Sequence, residues 1–313
     1  MRNGLRVAAG NLHGFAADAF ASLVSVGRMT VNLGNIGFEA PTLGSTRLLI
    51  IGSGPSLTQS LQTLKELDPR KICVMSVNDF YADSSFSRLR PSLHVLADPI
   101  YWDGNCFQSH AEPLLTAMRG ADWPLTLFLP RRSAGSRLQR ELAAYQLRYF
   151  YYNSTTVTGF PILEHWAFRA TLGMPRAQNV LVAAIAVGLW LGCREIGIVG
   201  ADHSWHQELL VSETNTLMVR QRHSYDDQID HTPFYKPSGV GKLRDGLTLK
   251  RGDVFTVREI FLAWAAAHDS YERLGRIAGR YGASISNASV TTFIDAFERV
   301  RLEEFVMPGS PAA

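Results

Sequence analysis

A short apolar run that ends in a glycine-rich turn and opens onto a helical pattern constrains this chain most: Leu48-Leu49-Ile50-Ile51-Gly52-Ser53-Gly54-Pro55-Ser56-Leu57. In α/β sheets such a turn presents backbone N–H groups and a helix N-terminus to an anionic ligand. Gly52 and Gly54 let the backbone turn tightly and approach a ligand. Pro55 suits the first turn of a helix, where its missing N–H costs nothing. Ser53 or Ser56 can donate to a phosphate oxygen. The third glycine of a dinucleotide fingerprint is missing, Asn78-Asp79 stands where the acidic residue after the second strand is expected, and no Lys-Ser/Thr follows the turn. Neither a dinucleotide fingerprint nor a P-loop is therefore present, and a mononucleotide fits better.

Strand patterns recur between helical stretches: Arg47 to Ile51, Ile72 to Ser76, Leu93 to Ala97, Leu125 to Leu129, Ile196 to Gly200 and Ala283 to Ser286. Nearly continuous apolar strands alternating with helices predict an α/β, Rossmann-like, doubly wound, mainly parallel sheet covered on both faces. The apolar stretch Val180 to Cys193 reads as a buried helix. A helix is expected over Thr256 to Tyr281, with Asp253 as its N-cap, and a C-terminal one from about Thr292 to Glu304. Two stretches break the rhythm. Residues 131–173 hold Tyr145, Tyr149, Phe150, Tyr151 and Tyr152 and read as a pocket wall or an insertion. Residues 203–252, polar and rich in His, Pro and Gly, read as a lid loop. The expected organisation is an N-terminal helical extension over 1–44 and one Rossmann-like domain over 45–313, which the resemblance described below makes a nucleotide-sugar-binding catalytic domain.

With 313 residues, 46% of them hydrophobic and 19% charged, the chain can build a sizeable core, which argues against global disorder. A formal net charge of +3 is too weak to indicate a nucleic-acid partner. Three cysteines without a C-x-x-C pair (Cys73, Cys106, Cys193) exclude a disulfide framework or zinc knuckle as the organising principle and fit a reducing cytoplasm. No apolar run reaches the length of a bilayer span. Residues 1–30 leave two readings: an amphipathic helix packed on the domain, or peripheral contact with the inner face of the membrane. The oligomeric state stays open, homo-oligomers included.

The strand ends carry the candidate chemistry. Strand one ends in Gly52-Ser53-Gly54, strand two in Asn78-Asp79-Phe80-Tyr81, strand three in Asp98-Pro99, and strand five in Gly200-Ala201-Asp202-His203-Ser204. Asn and Asp are ordinary turn residues one at a time; their agreement on the edge where doubly wound sheets bind ligands points to a site.

In order, Gly52-Ser53-Gly54-Pro55-Ser56-Leu57, Asn78-Asp79-Phe80-Tyr81, Asp98-Pro99, Leu191-Gly192-Cys193-Arg194-Glu195-Ile196 leading to Gly200-Ala201-Asp202, and the tail Ile285-Ser286-Asn287-Ala288-Ser289 with Phe293-Ile294 resemble two related groups. One is the bacterial sialyltransferases of the Campylobacter type, with their G-N-G-P-S-L turn, C-N-Q-F-Y segment and N-P pair. The other comprises proteins related to the archaeal 6-hydroxymethylpterin pyrophosphokinase, including flagellin-associated nonulosonate transferases. The resemblance covers about Leu48 to Phe297 as islands. It implies a metal-independent glycosyltransferase that uses a cytidine-monophosphate-activated, sialic-acid-like sugar to modify a surface glycan, with no cofactor. By position, Gly52, Ser53, Gly54 and Ser56 belong to the donor turn and Asn78 matches the nucleotide-holding asparagine. Asp98 stands for the family's Asn, Asn179 and Val180 fall where it has a Thr-Ser pair that contacts the donor, Asp202 matches the strand-end Asp, and Ser204 replaces a Tyr that helps phosphate leave.

Such a transfer needs a base for the acceptor hydroxyl and donors for the departing phosphate. The family's base His lies on the loop after the strand-end Asp. That loop here holds His203, His206, His223 and His231, and no His lies in Gly246 to Asp253. His231, beside Asp230, is the first choice, with Tyr235 as phosphate donor; His223 is the second. Arg220 and Arg222 are further anion partners. His203-x-x-His206 is a poor zinc pattern, and no metal site is expected. Two alternatives remain: a pyrophosphokinase-like phosphoryl transfer in which Asp98 and Asp202 hold Mg²⁺, and a non-catalytic nucleotide- or glycan-binding protein.

Overall fold

A computed structural model of the chain describes residues 2–32, 38, 41–68, 70–102, 107–220, 224, 230–235, 241–242, 248–249 and 254–307. The fold is α/β and doubly wound. Its elements begin with α1 (Arg2–Val31), β1 (Arg47–Ile51), α2 (Leu57–Leu64), β2 (Cys73–Val77), α3 (Phe86–Leu89) and β3 (Leu93–Val95). There follow α4 (Glu112–Gly120), β4 (Thr126–Pro130), α5 (Arg137–Ala144), β5 (Tyr149–Tyr152), α6 (Pro161–Arg169), α7 (Val180–Trp190) and β6 (Glu195–Val199). Short strands β7 (Leu209–Val211), β8 (Leu217–Val219), β9 (Thr232–Pro233), β10 (Gly241–Lys242) and β11 (Thr248–Leu249) come next. The chain closes with α8 (Val257–Arg280), β12 (Ser284–Asn287), β13 (Glu298–Arg299) and α9 (Leu302–Val306).

Eight strands form one sheet in the order β13-β12-β6-β1-β2-β3-β4-β5, each neighbouring pair parallel. Alternation along β1 divides the core. Leu48 and Ile50 point into a cluster with α7 and α8, and Leu49 and Ile51 into one with α2, α4, α5 and α9. Burial on both faces explains why the strands read as apolar runs rather than as alternating ones. Nine residues of α7 are buried, which accounts for its lack of a polar stripe.

Three expectations are corrected. Residues 131–173 continue the α/β alternation through α5, β5 and α6 rather than forming an insertion. The aromatic run Tyr149–Tyr152 is one of the sheet's two edge strands, paired with β4. The C-terminal helix expected over Thr292–Glu304 is only α9; Glu298–Arg299 extends the sheet instead. There, the Thr292 hydroxyl donates to Ala201 O (2.7 Å) and the Phe293 amide to Asp202 O (2.9 Å), so these groups serve the end of β6 and not a helix. Asp253 lies outside the described residues. The cap of α8 is Thr256, in a reciprocal box with Glu259: the Glu259 amide donates to Thr256 Oγ1 (3.2 Å) and the Thr256 amide to Glu259 Oε2 (2.8 Å). Thr256→Ala is expected to cost about 1 kcal/mol, read as a lowered urea midpoint at unchanged slope.

α1 packs on the domain. Ser25 Oγ donates to Thr158 O (2.8 Å) and accepts from Thr158 N (2.9 Å), Ser22 Oγ accepts from Phe160 N (2.9 Å), and Met29 is buried against Val157 and Ala167. Phe20 and Leu23 stay exposed. Among the described residues no helix is long and apolar enough to cross a membrane.

Candidate functional site

The chain lays down β1 to β5 in one direction, then returns through α6 and α7 to place β6 on the other side of β1. Strand order therefore reverses between β6 and β1, where doubly wound sheets open a crevice at their carboxyl ends. The ends of β6, β1, β2 and β3 are consecutive around it, and they carry Asp202, Gly52–Gly54, Asn78 and Asp98.

The glycines do a different job from the one expected. The Gly52 amide donates to Val199 O and the Gly54 amide to Gly200 O, both at 2.8 Å, so the ends of β1 and β6 run in backbone contact. A Cβ on Gly52 would lie 2.5 Å from Gly200 O, and one on Gly54 would fall inside the Asp202 carboxylate. Asp202 Oδ2 accepts from the Ser56 amide (3.2 Å), one residue ahead of α2. The chain's own carboxylate thus stands at the helix N-terminus where a ligand anion was expected. Burial pushes the Asp202 carboxyl above its usual range, and the Ser56 amide partly offsets this.

Asn78, left-handed at φ 42°, ties β2 to β3: its Oδ1 accepts from Ala97 N (3.2 Å). Asp98 caps a short 3-10 turn by accepting from Ile100 N (3.1 Å). Burial raises its pKa, that amide lowers it, and Asp79 raises it again, while His110 and Arg132 oppose. Asp79 accepts from Tyr101 Oη (2.6 Å), Arg132 donates to Ala97 O (3.1 Å), and Tyr152 Oη donates to Leu96 O (2.8 Å), so this turn is held from three sides.

Asn179 is the N-cap of α7, with Oδ1 accepting from Val182 N (3.2 Å). It also accepts from Tyr271 Oη of α8 (3.0 Å), which meets His203 Nε2 at 3.2 Å. His203 is buried and left-handed at φ 52°; burial, reinforced by His268, pulls its pKa down to about 3. A neutral imidazole held this way is a poor base at physiological pH. His206 instead sets its ring edge-on to Phe293. Ser204, half-buried, opens the 3-10 turn Trp205–Glu208. Among the described residues no three His, Cys, Asp or Glu gather as a metal site.

The expected lid region has structure of its own. β7, β8 and β9 form a small antiparallel sheet, and Leu217 and Phe234 from this region pack with Phe255, Ile260 and Trp264. Ser224, between β8 and β9, ties this region to the crevice: its amide donates to Ser53 O (2.9 Å) and its hydroxyl to Asp83 Oδ2 (2.6 Å). His231 is half-buried beside β9; Tyr235 is exposed and bridges Val254. His223 and Arg222 lie outside the described residues. Arg220 is engaged by Glu208 at 2.6 Å rather than offered to an anion.

Neither a family model nor a curated protein matches this chain.

Sequence reasoning missed Tyr271, which sits in the apolar stripe of α8 and reads there as core, and the Asp83–Ser224 contact, which joins residues 141 positions apart. A cavity of about 300 Å³ lies elsewhere, lined by Pro41, Thr46, Trp190 and Gly192 among others, near the start of β1 and the end of α7. Its lining contains no titratable side chain.

Proposed function

We propose that this protein is a glycosyltransferase that moves a sialic-acid-like sugar from cytidine monophosphate to a surface glycan without a metal. One observation carries the reading: the four motif-bearing ends are consecutive in the sheet around the point where strand order reverses. With Asp202 at the N-terminus of α2, the donor phosphate is assigned to the neighbouring amide source, the first turn of α7 behind Asn179. Asn78 and Asp98 hold the nucleoside side. His231 accepts the acceptor's proton and Tyr235 donates to the leaving phosphate; His223 is the alternative base. The enzyme works in the cytoplasm, with the outward Phe20 and Leu23 of α1 available to a membrane face.

The phosphoryl-transfer alternative is not favoured. Asp98 and Asp202 end strands three spacings apart, about 14 Å at the usual strand separation, a span that a sugar nucleotide can cross and one Mg²⁺ cannot. The test is thermal shift across CMP, UDP, GDP and adenosine nucleotides with and without Mg²⁺, followed by hydrolysis of a CMP-sugar. At a hundredfold excess over Kd, CMP should stabilise the fold by about 2.7 kcal/mol. Asn78→Ala should weaken CMP about tenfold. No shift with any cytidine nucleotide, or conversion of ATP to AMP only in Mg²⁺, overturns the proposal.

A further inference from the structure

Counting protons along the buried chain Asn179–Tyr271–His203 leaves two atoms of opposite character. The Val182 amide donates to Asn179 Oδ1 (3.2 Å), which fixes which end of the Asn179 amide is oxygen. Tyr271 faces that same oxygen at 3.0 Å and must donate its one proton there. Its oxygen then meets His203 Nε2 at 3.2 Å only as an acceptor, so the neutral imidazole carries its proton on Nε2. Nδ1 is left with a bare lone pair and Asn179 Nδ2 with its N–H donors. Both atoms are buried, and neither finds a partner among the described residues. His203 itself is only 7% exposed. Unmet buried polar atoms are costly, and an unmet donor and an unmet acceptor on one relay need an explanation.

We infer that Asn179 and His203, clamped by Tyr271, form a subsite for a hydroxyl-rich ligand at the junction of α7, β6 and α8. A vicinal hydroxyl pair on a sugar ring serves both: one hydroxyl accepts from Asn179 Nδ2 and its neighbour donates to His203 Nδ1. A carboxylate is repelled by the Nδ1 lone pair, and an ammonium finds no acceptor in the Asn179 N–H groups, so the relay selects neutral hydroxyls. The Trp205 ring, 4.1 Å from that of His203 and stacked on Trp264, covers a face of the imidazole. The ring is held as a hydrogen-bond acceptor, not as a base. The inference rests on the transfer reading only for which polyol is bound.

The test is histidine-labelled NMR on the full chain, with N-acetylneuraminic acid, cytidine and 2′,3′-dideoxycytidine as probes. Without ligand, His203 should show the Nε2–H tautomer alone. N-acetylneuraminic acid or cytidine should move its Nδ1 resonance, and the dideoxy analogue should not. Tyr271→Phe, checked for folding by circular dichroism, should mix the tautomers and weaken the effective probe about tenfold. An Nδ1 resonance unmoved by both hydroxylated probes at their solubility limit, or one already hydrogen-bonded to a water that no probe displaces, overturns the subsite. If CMP binds while Nδ1 stays unmoved, the subsite fails and the transfer reading stands. If N-acetylneuraminic acid moves Nδ1 while no cytidine nucleotide binds, the transfer reading fails and the subsite stands.

Discussion

Gly54→Ala should destabilise the fold by about 3 kcal/mol, the upper end of what overpacking a tight site costs, and Asp202→Ala should restore part of that loss. The added methyl would enter the Asp202 carboxylate and approach Gly200 O at 2.7 Å. Neither strand end can retreat without breaking the Gly54–Gly200 and Gly52–Val199 hydrogen bonds, both 2.8 Å. Removing the carboxylate clears its own overlap and leaves the carbonyl contact in place. Gly52→Ala is the control, because the atoms its methyl would meet are all backbone: Gly200 O at 2.5 Å, Gly200 C at 3.1 Å and Val199 O at 3.4 Å. Its cost should therefore be similar and unaffected by Asp202→Ala. Urea unfolding of the single and double variants gives both coupling energies. The Gly54–Asp202 pair should couple by about 1 kcal/mol or more and the Gly52–Asp202 pair by close to zero. Additive losses at Gly54 and Asp202 would mean that the carboxylate does not occupy the turn.

The same contact marks how far the sequence could be read. The strand ends were legible because a parallel sheet buried on both faces needs apolar runs, and β1, β2, β4 and β6 follow those runs to within a residue or so. That Gly54 and Asp202 share an edge followed from strand order at a switch point. That Asp202 fills the N-terminus of α2 did not follow, since it depends on a contact between residues 146 positions apart. β5 was missed because Tyr149 to Tyr151 are only half-buried and aromatic residues suit a strand and a pocket wall equally. The C-terminal helix failed for a related reason. Local propensity favours it, while the Thr292 and Phe293 hydrogen bonds to Ala201 and Asp202 draw that segment toward β6. There, local pattern was overruled by distant backbone carbonyls, those of Ala201 and Asp202, that needed hydrogen-bond partners.

The protein should lose stability steadily as pH falls from 7 to 5, and two buried histidines set the sign. His94 is fully buried with Nδ1 against Ser76 Oγ (2.8 Å), and burial pulls its pKa down to about 3; His203 is held at about 3 for the same reason. In the unfolded chain each titrates near the ordinary imidazole value of 6.5. Between about pH 6.5 and 3 the unfolded state therefore binds more protons, and stability falls as pH falls. Integrated from pH 7 to 5, this comes to about 2 kcal/mol per histidine, or about 4 kcal/mol for the pair. Asp98, Asp202 and Glu164 act in the opposite sense. Burial raises their folded pKa values, so they favour the fold as pH falls through the interval between their unfolded and folded values. His94→Gln separates the contributions: it should be less stable than the parent at pH 7 yet lose about 2 kcal/mol less on moving to pH 5. Urea midpoints at the two pH values decide the matter. A parent protein equally stable at pH 5, or a His94→Gln variant with the parent's full pH dependence, would show that the carboxylates, and not the imidazoles, govern its acid response.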